Sequence, residues 1–212
     1  MKNERIPRAT ISRLSTYIQE LEGMRRDGIE VVSSEPLAIA CDVNASQVRK
    51  DLSYFGEFGV RGVGYNIAQL LKSVSQALGI DRQWNVALVG MGNLGRALLK
   101  HPEFKQRNFH VVAAFDCDPF KIGEVVQGIE IICTKRMNEK VRELDIEIGI
   151  LTTPPERAQR AAQHLIDAGV RAILNYAPVR LRVPEGVHVE YVDFFHYLYS
   201  LSFNLSAGAC HL

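Results

Sequence analysis

Apolar residues follow two rhythms along the chain, and the change between them marks a domain boundary. Through residues 8–80 they recur at helical spacing between short loops; from 84 to 193, β-branched runs alternate with helical stretches. Ile11, Leu14, Ile18 and Leu21 predict a first helix with one buried face, entered through Pro7 and left at Gly23. Val31-Val32 is a short apolar segment, and Ser34, ahead of Glu35-Pro36, offers a cap for a second helix over 37–41. Asp42-Val43-Asn44 then turns the chain into a third helix from Ala45, capped by Asn44. Two short helices on so tight a turn have helix-turn-helix spacing.

On the third helix Val48 and Leu52 face inward, which leaves Ser46, Gln47, Arg49 and Lys50 pointing elsewhere, a set of donors suited to phosphates and base edges. The next segment, 54–65, sets Gly56, Gly59, Gly62 and Gly64 among aromatics and valines, as a tight β-hairpin requires. Helix-turn-helix plus hairpin is a winged helix, with Arg61 near the wing tip and able to enter a minor groove. An amphipathic helix over 66–79 leads out. A small helical dimerisation domain with a merely solvated polar face accounts for the helices alone equally well, and the wing favours the DNA reading.

The second region opens with the apolar run Asn85–Val89, then Gly90-Met91-Gly92-Asn93-Leu94-Gly95, then a helical run: G-x-G-x-x-G between strand and helix. Gly90 permits the turn, Gly92 lets backbone approach a pyrophosphate, Gly95 lets helix pack on strand, and the N–H groups at the helix start face the phosphates. A second strand ends in Asp116, 26 positions after Gly90, where an acid accepts hydrogen bonds from the adenosine ribose. Asp118 adds charge and no arginine follows at once, so NADH / NAD+ is favoured over the 2′-phosphorylated dinucleotide; Lys121 is the one residue against this. The alternation continues to residue 192. Strand ends in such a sheet face the ligand, which makes Thr152, Thr153, Pro154 and Asn175 candidates for the nicotinamide half, although Thr152 to Pro155 also reads as helix capping.

Composition narrows the function. The chain has 212 residues, 25 basic and 24 acidic side chains and a formal charge of +1, which excludes binding of nucleic acid by bulk charge. Residues 1–80 hold 10 basic and 9 acidic side chains, so a DNA footprint must be focal, with Lys2, Arg5, Arg8 and Arg13 as the one locally basic arm. The cysteines Cys41, Cys117, Cys133 and Cys210 have no C-x-x-C spacing and read as reduced thiols of a cytoplasmic protein, and no apolar stretch is long enough for a membrane span. After the dinucleotide fold no length is left for a substrate domain; no histidine forms a relay and no cluster has metal-ligand spacing, so no catalytic or metal residues are assigned. Six of the seventeen aromatics lie between Tyr191 and Phe203, five of them on a last helix too apolar to stay exposed alone. It is expected to pack into a partner subunit.

The segments Pro7–Thr10, Ser46–Tyr65, Gly90–Gly95, Ile173–Pro178 and Val192–Phe194 together resemble the Rex family of redox-sensing transcriptional repressors, with Tyr176 where the family has Phe. The resemblance implies an α/β architecture: an N-terminal winged helix-turn-helix over 1–80, a Rossmann-type doubly wound parallel sheet over 81–192, and a helix over 193–212 exchanged between subunits. It implies a homodimer that leaves double-stranded DNA, an inverted-repeat operator, when NADH binds. The cofactor residues are then Gly90, Met91, Gly92, Asn93, Leu94, Gly95, Asp116, Thr152, Pro154, Asn175 and Phe194. The DNA residues are Arg8, Ser46, Gln47, Arg49, Lys50, Tyr54, Phe58 and Arg61. The competing reading is a small NAD-dependent oxidoreductase whose N-terminal helices only dimerise.

Overall fold

The computed structural model describes residues 6–56, 59–60 and 62–208, and the chain divides between Arg82 and Gln83 into two compact units. The first contains α1 (Arg8–Arg26), β1 (Val31–Val32), α2 (Ser34–Ala40), α3 (Ala45–Ser53), β2 (Gly59–Val60), β3 (Gly64–Asn66) and α4 (Ile67–Leu78). Its core is the inner face of α1, Leu14, Tyr17, Ile18 and Leu21, closed by Leu37, Val48, Leu52, Leu70 and Val74. Leu14, Ile18 and Leu21 of the expected stripe are buried, but Ile11 is 45% exposed, and Thr10 and Tyr17 complete the inward face in its place. The reason is a buried carboxylate that both hydroxyls serve. Gly23 does not end α1, which continues one turn to Arg26, and α2 starts at Ser34 rather than 37, with Ser33 as its N-cap residue. Pro36 in the first turn lacks an N–H that has no helical partner there anyway.

The wing forms as expected, β2 antiparallel to β3, but Val31-Val32 also joins it as a third strand paired with β3. This brings the entrance of α2 against the wing: a side chain on Gly64, whose φ is +113, would lie 2.6 Å from the carbonyl oxygen of Val32. Only glycine fits there.

The second unit alternates strand and helix: β4 (Trp84–Val89), α5 (Asn93–Lys100), α6 (Glu103–Gln106), β5 (Phe109–Asp116), β6 (Val125–Val126), β7 (Ile129–Cys133), a 3₁₀ turn (Thr134–Arg136), α7 (Met137–Glu143), β8 (Ile148–Leu151), α8 (Pro155–Ala168), β9 (Ala172–Asn175), β10 (His188–Tyr191) and α9 (Phe194–Gly208). The sheet order is β10-β9-β8-β4-β5-β7-β6, parallel throughout except for the short edge strand β6. Without that edge the order is the two-halved dinucleotide-binding arrangement, and its reversal point lies between β4 and β8. Both faces are covered: Met137, Val141, Ala158, Ala162 and Leu165 lie in one apolar cluster, and Met91 and Leu99 in the other. Val86 to Val89 are buried accordingly, as a strand covered on both sides must be.

Candidate functional site

At the reversal point, Val89 runs into Gly90 at φ +100, where an added side chain would lie 2.8 Å from the carbonyl oxygen of Thr152. Five residues on, a Cβ at Gly95 would stand 2.1 Å from the carbonyl oxygen of Gly90, while nothing lies within 4 Å of one at Gly92. Two of the glycines are therefore demanded by the protein's own backbone. The third borders open space, as a ligand's approach requires. Gly92 precedes α5 with no side chain capping the helix, so first-turn N–H groups face outward.

A cavity of about 670 Å³ opens on this turn, lined by Gly90, Gly92, Asp116, Thr152, Thr153 and Pro154 together with Cys117, Lys121, Cys133, Thr134, Lys135, Arg157, Arg160, Ala161 and His164. Asp116, 6% exposed, receives the N–H of Met91 on Oδ2 (2.7 Å), the N–H of Asp118 on Oδ1 (2.9 Å) and the Lys121 ammonium on Oδ2 (3.2 Å). Burial alone would raise its pKa, but the two N–H groups and Lys121 outweigh burial and hold the carboxyl below its usual range. The acid thus braces the glycine turn while one side remains on the cavity. Thr152 Oγ1 donates to the carbonyl oxygen of Gly90 (2.6 Å), tying β8 to the same turn. The buried Oγ1 of Thr153 has no partner among the described residues. An unpartnered hydroxyl in the cavity wall is a group that a ligand would satisfy.

Of the cofactor residues expected from the sequence, the structure brings Gly90, Gly92, Asp116, Thr152 and Pro154 to the cavity wall. Met91 serves through its backbone, its side chain being buried in the core. Asn93, Leu94 and Gly95 form the start of α5. Asn175 is 1% exposed and closes its own loop, its Nδ2 donating to the carbonyls of Ala177 and Val179 and its Oδ1 accepting from the N–H of Ala177. Phe194 opens α9, 63% exposed and stacked on Phe195 at 4.6 Å. Neither of these two lines the cavity. The sequence reading missed the α8 wall, although Arg157, Arg160 and His164 fall at i, i+3 and i+7 on one helix face. Arg157 Nη1 donates to the Cys117 sulfur (2.9 Å), so an arginine does stand beside the residue after Asp116, supplied from 40 residues away.

In the first unit the polar face of α3 is half committed. Asn44 Oδ1 accepts from the N–H of Gln47 (2.8 Å) and from the Ser46 hydroxyl (2.5 Å). Gln47 Nε2 donates to Asp51 (2.8 Å), Arg49 Nη1 donates to Ser34 Oγ (2.7 Å), and Lys50 is exposed. Arg8 is exposed at the start of α1, Tyr54 is half-buried at the end of α3, and Phe58 and Arg61 lie outside the described residues. Behind this face is the residue the sequence did not single out, Asp51. Fully buried, it accepts from Thr10 Oγ1 (3.0 Å), Arg13 Nε and Nη2 (2.6 and 2.8 Å), the Tyr17 hydroxyl (2.8 Å) and Gln47. Burial opposes its charge, and the bonds from Arg13, Tyr17, Gln47 and Thr10 nevertheless hold its pKa down; burial and Asp51 together push the Tyr17 hydroxyl up. No group of His, Cys, Asp and Glu among the described residues could hold a metal ion.

A winged helix followed by a dinucleotide-type sheet, with a cleft on the second and an exposed donor face on the first, defines a ligand-responsive DNA-binding regulator. Family models match both units: "Putative DNA-binding protein N-terminus" over residues 5–53 and "CoA binding domain" over 81–179. A redox-sensing transcriptional repressor Rex of Maridesulfovibrio salexigens is 62% identical over 98% of this chain and 99% of its own, and that of Syntrophobacter fumaroxidans 46% identical over 99% and 100%. Crystal structures of the Rex-family repressor RSP superpose with a TM-score of 0.92 for the complex with NAD+ and operator DNA (33% identity, covering 98% of this chain and 96% of that one) and 0.90 for the complex with NADH (31%, 98% of each). The chain belongs to the Rex family of redox-sensing transcriptional repressors. Its relatives are named as regulators, which removes the oxidoreductase reading.

Proposed function

We propose that this repressor holds its operator in the cytoplasm while NADH is scarce and leaves it when NADH fills the cavity beside Gly90. The observation that carries the reading is the pairing, in one chain, of a braced glycine turn facing a 670 Å³ cavity with an exposed donor face on α3. The NAD+, NADH and operator complexes of the related RSP support it.

With the N–H groups of Gly90 and Met91 donated to Phe115 and Asp116 to shape the turn, those from Gly92 to Gly95 would take the diphosphate, Asp116 the adenosine ribose, and Thr152, Thr153 and Pro154 the space toward the nicotinamide. Asn175 would act indirectly, by shaping the loop after β9. When bound, the dinucleotide supplies only a signal: NADH and NAD+ differ by one hydride and one positive charge. An apolar ring pocket disfavours the cation by desolvation, and Phe194, two residues beyond Val192 at the sheet's ligand edge, is our candidate for that pocket. The DNA contacts would be Arg8, Ser46, Gln47, Arg49, Lys50, Tyr54 and the wing.

A second copy completes the reading. Phe194, Phe195, Tyr197, Leu198, Tyr199, Leu201, Phe203 and Leu205 are each about half exposed or more, an apolar surface that a monomer rarely presents. We assign it to helix exchange in a homodimer on an inverted repeat, with α3 of each subunit meeting a half-site. Repression would then depend on the spacing of the two recognition helices. The test is fluorescence anisotropy of an operator-bound dimer titrated with NADH and NAD+: release by NADH at concentrations where NAD+ has no effect is expected, and equal action by the two forms would refute the sensor.

A further inference from the structure

Arg49 leaves α3 already held at one end. Its Nη1 donates to Ser34 Oγ (2.7 Å) and to Glu35 Oε1 (3.3 Å), both on α2. Ser34 is buried, and Glu35 Oε2 in turn accepts from the Ser33 hydroxyl (3.0 Å), so the anchor is fixed from both sides. The hydroxyl bond from Ser33, a backbone N–H and the charge of Arg49 keep the Glu35 carboxyl below its usual range. A guanidinium is rigid and planar, with five N–H groups in a fixed fork. With Nη1 bound to two acceptors on α2, the Nε–Nη2 edge is unengaged among the described residues. Arg13 uses that same edge to bind the two oxygens of Asp51. It is a bidentate edge, the shape that matches O6 and N7 of guanine in a major groove. The groove behind the pair is bounded by the wing at Gly59, Val60 and Gly62, so Glu35 sits on the rim between recognition helix and wing.

We propose that Glu35 is a positioning residue for sequence readout: with Ser34 it fixes the plane of Arg49 so that the Nε–Nη2 edge meets a guanine, and its own charge penalises complexes in which Arg49 only touches a phosphate. The second effect follows from the first. An arginine released from α2 gains reach toward any phosphate, and losing the carboxylate removes a repulsion from the DNA face. Specificity is a difference of affinities, and a carboxylate on the rim lowers the wrong member of the pair. As a bond in an exposed pair, Arg49–Glu35 adds little to stability, with 54% of the Arg49 and 64% of the Glu35 side chain exposed. Its value lies in geometry.

This inference rests on α3 reading DNA, and one experiment separates the two. Full-length wild-type protein selects a duplex from a random library, and anisotropy then compares that duplex with a scrambled one of equal composition. Glu35→Gln is expected to tighten scrambled binding a few-fold and to lower the ratio of selected to scrambled affinity by about tenfold, the size of one good bidentate contact. Ser33→Ala, which loosens Glu35 without touching Arg49, should lower the ratio in the same direction, and Glu35→Asp should restore part of it. Adding Glu35→Gln to Arg49→Ala should change the ratio no further. If Arg49→Ala lowers the ratio while Glu35→Gln and Ser33→Ala leave it at the wild-type value, Glu35 has no positioning role and the inference is wrong. If Arg49→Ala itself leaves the ratio unchanged, it is the assignment of α3 that fails. Thermal melting of each variant reads the folded fraction, and a variant that melts early is replaced by its partner in the pair.

Discussion

Asp51 shows how a single buried charge sets the geometry of a surface. It pins Gln47 on α3 and three side chains of α1 to one carboxylate, so α3 cannot roll against α1 without breaking several charge-assisted bonds at once. Leaving a buried donor unpaired costs about 1–3 kcal/mol, more for a charged one, and Arg13 retains some water at 27% exposure. Asp51→Asn should therefore destabilise the protein by roughly 2–4 kcal/mol in urea unfolding at pH 7. The pH dependence has a definite sign. The folded-state pKa of Asp51 is lowered, so its contribution is present above the unfolded value of about 3.9 and is lost as pH falls through the folded one. Asp116 acts in the same direction. Melts from pH 6 to 2 should show the wild type losing more stability than Asp51→Asn; parallel curves would remove the network as the cause. Cys41, by contrast, is kept as a thiol, burial pushing it up to about 11.

Among elements, α5 and α9 present opposite cases. α5 is held against β4 by the absence of a side chain at Gly95, so Gly95→Ala forces the helix away from the carbonyl oxygen of Gly90. A cost of about 1–3 kcal/mol is expected from such overpacking, together with loss of NADH binding in calorimetry and persistence of operator binding. Operator binding lost in parallel, with the protein still folded, would mean that the glycine turn is not a separate ligand element. α9 packs so little within its own chain that its large side chains stay exposed. Replacing Leu201 and Phe203 by serine should shift sedimentation from dimer toward monomer and weaken binding to an inverted repeat more than to a single half-site; an unchanged dimer would place the interface elsewhere. The wing was legible in the sequence because glycine spacing is local, whereas the pairing of Val31-Val32 with β3 was not, since two residues carry no period.

For the molecule as a whole, sensing is a coupling between two ligands, and coupling is reciprocal. If NADH weakens operator affinity by some factor, saturating operator must weaken NADH affinity by the same factor, a thermodynamic equality open to test by titrating NADH with and without DNA. Unequal factors would require a third bound species or a change of oligomeric state. The near-neutral charge of +1 suits such a device. A footprint with few phosphate contacts would give a modest salt-dependent grip, and a coupling of about 1–3 kcal/mol would change its affinity about 5- to 150-fold.

By itself the sequence determined what rests on local periodicity and on absent side chains. The helix-turn-helix, the wing, the order of strands and helices, the glycine turn and the acid at the end of β5 follow from spacing along one stretch of chain. Tertiary structure decided whatever depends on side chains that meet from a distance. Asp51 gathers partners 34 to 41 residues away, which is why Thr10 and Tyr17 rather than Ile11 face inward on α1. Arg157 reaches Cys117 across 40 residues, giving the cavity a basic wall that the residues after Asp116 do not announce. Asn175, legible as a strand-end residue, turned inward because two carbonyls of its own loop needed a donor. Hydrophobic period is written in the chain one turn at a time, but the partner of a buried polar group is fixed only when the fold has excluded water from it.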